Sequence, residues 1–291
     1  LQPYPKAEGK KANRGDTDFS LIGTAFYARS VELTLKTAEV LNLQADIEQL
    51  TTLHQQIKTA FRSTFFDQNL IPKKGEPTQT AYLLALEFNL LEQTDIKKAQ
   101  EQLIELIQKA DNHLRTGFLG TPLLASALQK AGRSDLVYEL LFKESYPSWF
   151  YSINNGATTT WERWNSYSLE NGFNPQGMNS LNHYAYGTIS RWFYEGILGI
   201  TPLKAGFKEF KVSPQFSHYL NKVGGDVKTI NGAIKLKWSL KGDNATIFLT
   251  VPKNSTAILD LAHLNNVTIL YSGKSIAHKK RLTPGEYMIS G

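Results

Sequence analysis

The chain of 291 residues contains no cysteine. Disulfides and thiolate metal sites are therefore excluded, while the compartment stays open. No apolar run reaches the roughly 18–20 residues of a membrane span, and no secretory leader pattern is recognisable. The net charge is +6, yet Lys and Arg are scattered. Only the lead-in is locally basic, with Lys6, Lys10, Lys11 and Arg14. A nucleic-acid footprint is a clustered patch or stripe, so no nucleic-acid partner is expected. The histidines His54, His113, His218, His263 and His278 show no metal-ligand spacing, and no Asp-rich loop suggests Ca²⁺. No metal or organic cofactor is expected. A repeat of fixed period is also missing, which argues against a TPR- or HEAT-type array. The chain opens on Leu1 rather than Met, which suggests that the true N-terminus lies elsewhere.

What is present is a folded-protein composition, 41% hydrophobic and 11% aromatic. Residues 1–15 are polar with Pro and Gly and read as an irregular lead-in. From Asp18, an N-cap candidate with Thr17, apolar residues fall at helical spacing: Leu21, Ile22, Ala25, Phe26, Val31, Leu33, Leu35 and Val40. Further helices are predicted near 46–65, 78–91, 95–111, 122–131 and 134–143. A long loop over 145–180 follows, and a last helix from Asn182 to Leu198. Beyond Pro202 the apolar pattern alternates with period 2. "AIKLKWSL" (233–240), "ATIFLTV" (245–251), "VTILYSG" and "EYMIS" read as strands, with a turn signal at Asn231-Gly232. Helices first and strands later predict a helical domain at 1–201 and a β domain at 202–291.

The long loop carries the chemistry. It holds "TTTWERWNS" (158–166), a glutamate between two tryptophans with an arginine beside it. Loops of this length are functional or disordered, and this one is too aromatic to be disordered. Aromatic rings stack on sugar faces; Asn, Arg, His and Tyr bond to hydroxyls. A carboxylate between tryptophans can have a raised pKa through desolvation, or be steadied by a neighbour such as Arg163. The plainer alternative makes Trp161 and Trp164 core residues, Glu162 and Arg163 a surface ion pair, and His183 a hydrogen-bonded structural histidine. "GFLGTP" (117–122) reads as a helix break. The stripe Trp192, Phe193 and Ile197 reads as core.

Several stretches in order, "TQTAYLLALEFNLL" (78–91), "HLRTGFLGTPLLASALQKAGRSDLVYELL" (113–141), "YPSWFYSI" (146–153), "GATTTWERW", "MNSLNHYAYGTISRWFY" and "GITPLKAGFKEFKVSPQ", resemble the C-terminal part of bacterial α-L-rhamnosidases of glycoside hydrolase family 78. The resemblance implies part of an (α/α)6 barrel, about seven of its twelve helices, followed by a C-terminal antiparallel β-sandwich. It implies inverting hydrolysis of terminal α-L-rhamnose from a glycoside or polysaccharide. Glu162 then matches the general base, His183 a residue on the sugar, and Trp161, Trp164 and Arg163 the pocket around it.

The family's upstream stretch with the general acid has no counterpart here. The chain is therefore expected to be the C-terminal portion of a larger enzyme, with the missing N-terminal half as its partner and little activity alone. Missing helices would leave apolar faces uncovered. Asp16, Asp18, Asp67 and Glu76 lack the aromatic setting of a substitute acid. Two other readings compete: a binding homologue that holds rhamnosides without cleaving them, and another α/α-toroid enzyme such as a polysaccharide lyase or uronyl hydrolase. The latter would call for more Arg and Lys around the loop.

Overall fold

A computed structural model describes residues 16–175, 177–242, 244–264 and 268–291. The basic lead-in residues and the start of "VTILYSG" lie outside them. The chain divides into two compact units, Leu1–Gly187 and Thr188–Gly291.

The first unit is helical. Its helices are α1 (Phe19–Leu41), α2 (Gln44–Phe65), α3 (Gln79–Glu87), α4 (Gln93–Lys109), α5 (Thr121–Lys130), α6 (Ser134–Phe142) and α7 (Trp149–Asn154). Consecutive helices pack as hairpins, α1 with α2, α3 with α4 and α5 with α6. Caps set their ends. The Asp18 carboxylate accepts from Ser20 N and Leu21 N, and Asn42 takes the left-handed conformation after α1. Thr78 Oγ1 accepts from Ala81 N at the start of α3. Pro122 sits in the first turn of α5, where its missing N–H costs nothing.

The core gathers on α3 and the segments around it. Tyr82, Leu83, Leu84, Phe61, Phe66 and Leu70 are fully buried. The Tyr82 hydroxyl donates to Leu70 O at 2.8 Å, and burial pushes its pKa up to about 12. On α1 the apolar set divides. Leu21, Ala25, Ala28 and Val31 are buried, whereas Phe19, Phe26, Tyr27, Leu33 and Val40 are exposed.

The second unit is built on strands β3 (Ile200–Pro202), β4 (Glu209–Val212), β5 (Lys222–Thr229), β6 (Gly232–Lys241), β7 (Asn244–Val251), β8 (Thr256–Asp260), β9 (Ile269–Tyr271), β10 (Lys274–Ile276), β11 (Lys279–Leu282) and β12 (Gly285–Ser290). The short strands β1 (Tyr167–Ser168) and β2 (Gly172–Phe173) belong to the first unit. One sheet runs in the order β10-β9-β12-β7-β6-β5, the other β11-β8-β4-β3. All pairs are antiparallel except β4 on β8. Alternation puts Ile234, Leu236 and Trp238 of β6 inward, opposite Leu249 and Ile247 of β7. The Trp238 indole N–H donates to Ile197 O at 2.8 Å.

The helix predicted over Asn182–Leu198 is not continuous. A 3₁₀ turn at Ala185–Ile189 leads into one α turn, α8 (Ser190–Trp192), and a π turn at Phe193–Ile197. Gly196 explains part of this: a Cβ there would lie 2.2 Å from the Trp192 ring. A glycine lets that ring lie on the backbone.

Candidate functional site

The loop after α7 is fixed by its own polar residues. Asn174 N donates to Ser166 O at 2.9 Å, and Asn174 Nδ2 to Asn165 O at 3.2 Å. Asn179 Nδ2 donates to Ser166 O at 3.0 Å, and Leu169 N to Asn155 Oδ1 at 2.9 Å. Much of the Asn and Ser content thus satisfies backbone that no helix or ladder would satisfy.

Two segments of this loop lie side by side. The 159–162 run meets the 180–183 run through Thr159 Oγ1 on Leu181 O, His183 N on Thr160 O (2.8 Å) and Glu162 N on Ser180 O (2.9 Å). Ser180 N returns a bond of 2.7 Å to Glu162 Oε2. Glu162 is 8% exposed. Among the described residues no hydrogen bond or ion pair engages its Oε1. A carboxylate held by one oxygen, with the other open, can take a proton from a small nucleophile without losing its orientation.

The rings around it divide into two groups. Trp164 is buried, donates from its indole N–H to Thr116 O at 3.1 Å, and stacks on Tyr186 with centroids 3.8 Å apart and planes 11° apart. Trp149 meets Trp164 edge-on at 5.1 Å and donates its own N–H to Tyr186 O. Burial raises the Tyr186 pKa. Trp161 is also buried and meets Tyr167 edge-on. Among the described residues its indole N–H has no hydrogen-bond partner.

His183 is half-buried in a stack of three rings. Phe118 lies 4.6 Å away on one contact and Tyr184, 83% exposed, 5.4 Å away on another. Its Nδ1 accepts from Ala185 N at 3.3 Å, which puts the proton of the neutral ring on Nε2. Arg163 turns to main chain: Nε donates to Met178 O at 3.0 Å and Nη2 to Gly177 O at 2.9 Å. The oxygen of Glu162 that is held is held by Ser180.

Glu162, His183 and Arg163 are therefore tied by hydrogen bonds within one loop, which also carries Trp161 and, fixed to Thr116 O, Trp164. The sequence did not point to Ser180, Phe118 or Tyr186. Phe118 lies in the "GFLGTP" stretch read as a helix break, and only its place beside a histidine distant in sequence gives it meaning. Asp18 and Asp67 are committed elsewhere. Asp18 caps α1 and pairs with Lys74, whose hydrogen bond lowers its pKa together with that from Leu21 N. Asp67 accepts from Asn69 N and Ile71 N. His113 and His263 are tied to the carbonyls of Ala110 and Pro214. Among the described residues no group of three His, Asp or Glu could hold a metal ion, and no helix is long and apolar enough to cross a membrane.

The chain thus joins a helical-hairpin unit, with a buried carboxylate in an aromatic loop, to a β unit that follows it in sequence. Comparison gives the family. Residues 4–197 match the bacterial alpha-L-rhamnosidase 6 hairpin glycosidase domain, and residues 199–274 the bacterial alpha-L-rhamnosidase C-terminal domain. The chain belongs to the bacterial alpha-L-rhamnosidase family. It is 60% identical over 289 residues to an alpha-L-rhamnosidase of Alteromonas sp. (strain LOR), covering 99% of this chain and 31% of that protein. With an alpha-L-rhamnosidase of Formosa agariphila the identity is 47% over 97% of this chain and 30% of the relative. The crystal structure of Streptomyces avermitilis alpha-L-rhamnosidase complexed with L-rhamnose superposes with a TM-score of 0.85 at 31% identity, over 95% of this chain and 28% of that one. Native alpha-L-rhamnosidase from Aspergillus terreus gives 0.86 at 28% identity, over 98% of this chain and 32% of that one. The chain thus spans less than a third of the length of these relatives.

Proposed function

We propose that this chain is the C-terminal portion of an inverting α-L-rhamnosidase, with Glu162 as general base. The observation that carries the proposal is the asymmetry of Glu162: Oε2 bonded to Ser180 N, and Oε1 without a hydrogen-bond partner among the described residues, in a buried setting beside Trp161. In the reaction, Oε1 takes a proton from water while the water oxygen bonds to the anomeric carbon. The bond from that carbon to the leaving oxygen breaks on the opposite face, and a carboxylic acid supplies the leaving oxygen's proton. Inverting enzymes separate the two carboxyl groups by roughly 6.5–9.5 Å to admit the water.

The sugar is L-rhamnose, by analogy with the Streptomyces avermitilis relative crystallised with it. Trp161 is the candidate ring at the sugar, with an indole N–H that has no hydrogen-bond partner among the described residues, and His183 would donate from Nε2–H. Trp164 and Arg163 hold the loop that shapes the pocket. The aglycone side is a rhamnose-containing glycoside or polysaccharide.

The acid comes from residues outside this chain. That reading is supported by the commitment of Asp18 and Asp67 to local structure and by the share of the relatives' length covered here. The hairpins of residues 1–201 are then part of an (α/α)6 barrel, and residues 202–291 a β-sandwich. The exposed apolar residues Phe19, Phe26, Tyr27, Leu33 and Val40 on α1 fit a helix that packs on further hairpins.

The test is proton NMR of the first-formed sugar released by the full-length protein, beside Glu162→Gln. Inverted configuration that disappears with the variant is expected. Retained configuration, or turnover by the variant near the parent rate, would remove Glu162 as base.

A further inference from the structure

The residues that hold Glu162 and present His183 form one short strap, 177–183. At one end Ser180 bonds Glu162 twice, through its carbonyl and its N–H. At the other, His183 N bonds Thr160 O and Leu181 O accepts from Thr159 Oγ1. The start of the strap has one charged anchor among the bonds described: Arg163, whose Nε and Nη2 fork onto the adjacent carbonyls of Met178 and Gly177. Met178 lies between that anchor and Asn179, whose Nδ2 donates to Ser166 O at 3.0 Å. The Met178 φ is +56°, a left-handed conformation that a non-glycine residue keeps only where neighbours impose it. Its side chain is 81% exposed and holds nothing in place.

We infer that Arg163 is a positioning residue: it fixes the strap, and through the strap it aims the Ser180 N–H that orients the Glu162 carboxylate. A planar guanidinium meets two adjacent carbonyls with two N–H groups in fixed geometry, and a lysine ammonium does not. The residue beside the glutamate therefore acts on the base through main chain rather than by touching the sugar. This rests on the reading of Glu162 as base.

The experiment uses the full-length protein and p-nitrophenyl α-L-rhamnoside, with azide as probe. Azide attacks the anomeric carbon without a proton to lose, so it bypasses the base. The variants are Glu162→Ala, Arg163→Gln, Arg163→Lys and the double variant Glu162→Ala with Arg163→Gln. Arg163→Gln is expected to lower kcat about 10- to 100-fold, part of the 10²–10⁴ that a positioned base supplies, with KM within about threefold. Arg163→Lys, which keeps the charge and loses the fork, is expected to lower kcat at least about fivefold, and it carries the test alone should Arg163→Gln not fold. The azide-supported rate of Glu162→Ala is expected to change by no more than about threefold on adding Arg163→Gln, because the carboxylate is gone and His183 keeps its own bond to Thr160 O. A raised KM with kcat kept, an azide-supported rate that falls beyond that in the double variant, or a fully active Arg163→Lys would each overturn the inference. If azide fails to restore turnover to Glu162→Ala, the base assignment falls first, and this inference with it.

Discussion

Replacing Trp164 by phenylalanine tests how the loop is attached to the helical unit. The indole N–H donates to Thr116 O at 3.1 Å across a buried contact, and the ring stacks at 3.8 Å on Tyr186. Phenylalanine keeps a ring for the stack but removes the donor. The Thr116 carbonyl then loses its partner in a buried place, which costs about 1–3 kcal/mol. The smaller ring also gives up roughly 40 Å² of buried apolar surface, about 1 kcal/mol at 25 cal/mol per Å². Together the variant should lose about 2–4 kcal/mol. For a unit of this size 1 kcal/mol corresponds to about 2–4 °C in Tm, so a fall of roughly 5–15 °C is expected. Thermal unfolding followed by near-ultraviolet circular dichroism reads the aromatic cluster directly. A fall below about 2 °C would show that Trp164 is not the anchor, and that the loop is fixed by its main-chain bonds alone.

Other variants probe other links. Gly199→Ala should destabilise the β unit by about 2–5 kcal/mol, measured by urea unfolding. Its φ is +82°, and a Cβ would lie 2.2 Å from Pro214 N, so strain and overpacking combine. A loss below 1 kcal/mol would mean that the Gly199–Pro214 approach relaxes freely. His54 has its pKa lowered by burial, against the pull of Glu32 and with Lys58 and Lys36 opposing its charge. The unfolded chain then binds a proton near pH 6.5 that the folded chain takes up only at lower pH. Stability should therefore drop as pH falls from about 7 through 6. His54→Leu should flatten that slope in a series of melts, and an unchanged slope would assign it to another group. Phe118→Leu removes a ring stacked on His183 at 4.6 Å. In the full-length protein KM should rise about 2- to 10-fold with kcat within about twofold, from the 0.5–1.5 kcal/mol of an aromatic pair. An unchanged KM would take His183 off the sugar.

The helices were legible because their apolar residues repeat at the helical period. The spans predicted near 46–65, 95–111 and 122–131 correspond to Gln44–Phe65, Gln93–Lys109 and Thr121–Lys130. On α1 the period identified the helix but not its buried side. Phe26, Leu33 and Val40 fit the pattern and are exposed, while Ala28 lies in the core. The Asn182–Leu198 span misled for a local reason: Gly196 allows the Trp192 ring onto the backbone, and the turn widens to π geometry. Strands β6, β7 and β12 alternate clearly. β5, "KVGGDVKT", has two glycines and no large inward residue, and β3, β8, β10 and β11 are short. Those were not read.

At the site, residue types were more legible than their partners. Glu162 and His183 stood out by kind and by family resemblance. The bond from Ser180 N to Glu162 Oε2 did not, because it joins residues 18 apart in a loop without period. The same holds for Arg163. Sequence adjacency suggests an ion pair with Glu162, whereas the fold aims the guanidinium at Gly177 and Met178 carbonyls.

The central claim is that Glu162 is the base of a hydrolase whose acid lies outside this chain. The most direct test is p-nitrophenol release from p-nitrophenyl α-L-rhamnoside by the 291-residue chain and by the full-length protein, each beside Glu162→Gln. The account predicts no release from the chain, release from the full-length protein, and loss of that release by at least about 10²-fold in the variant. Robust release by the chain alone, or full-length turnover that survives Glu162→Gln, would contradict it.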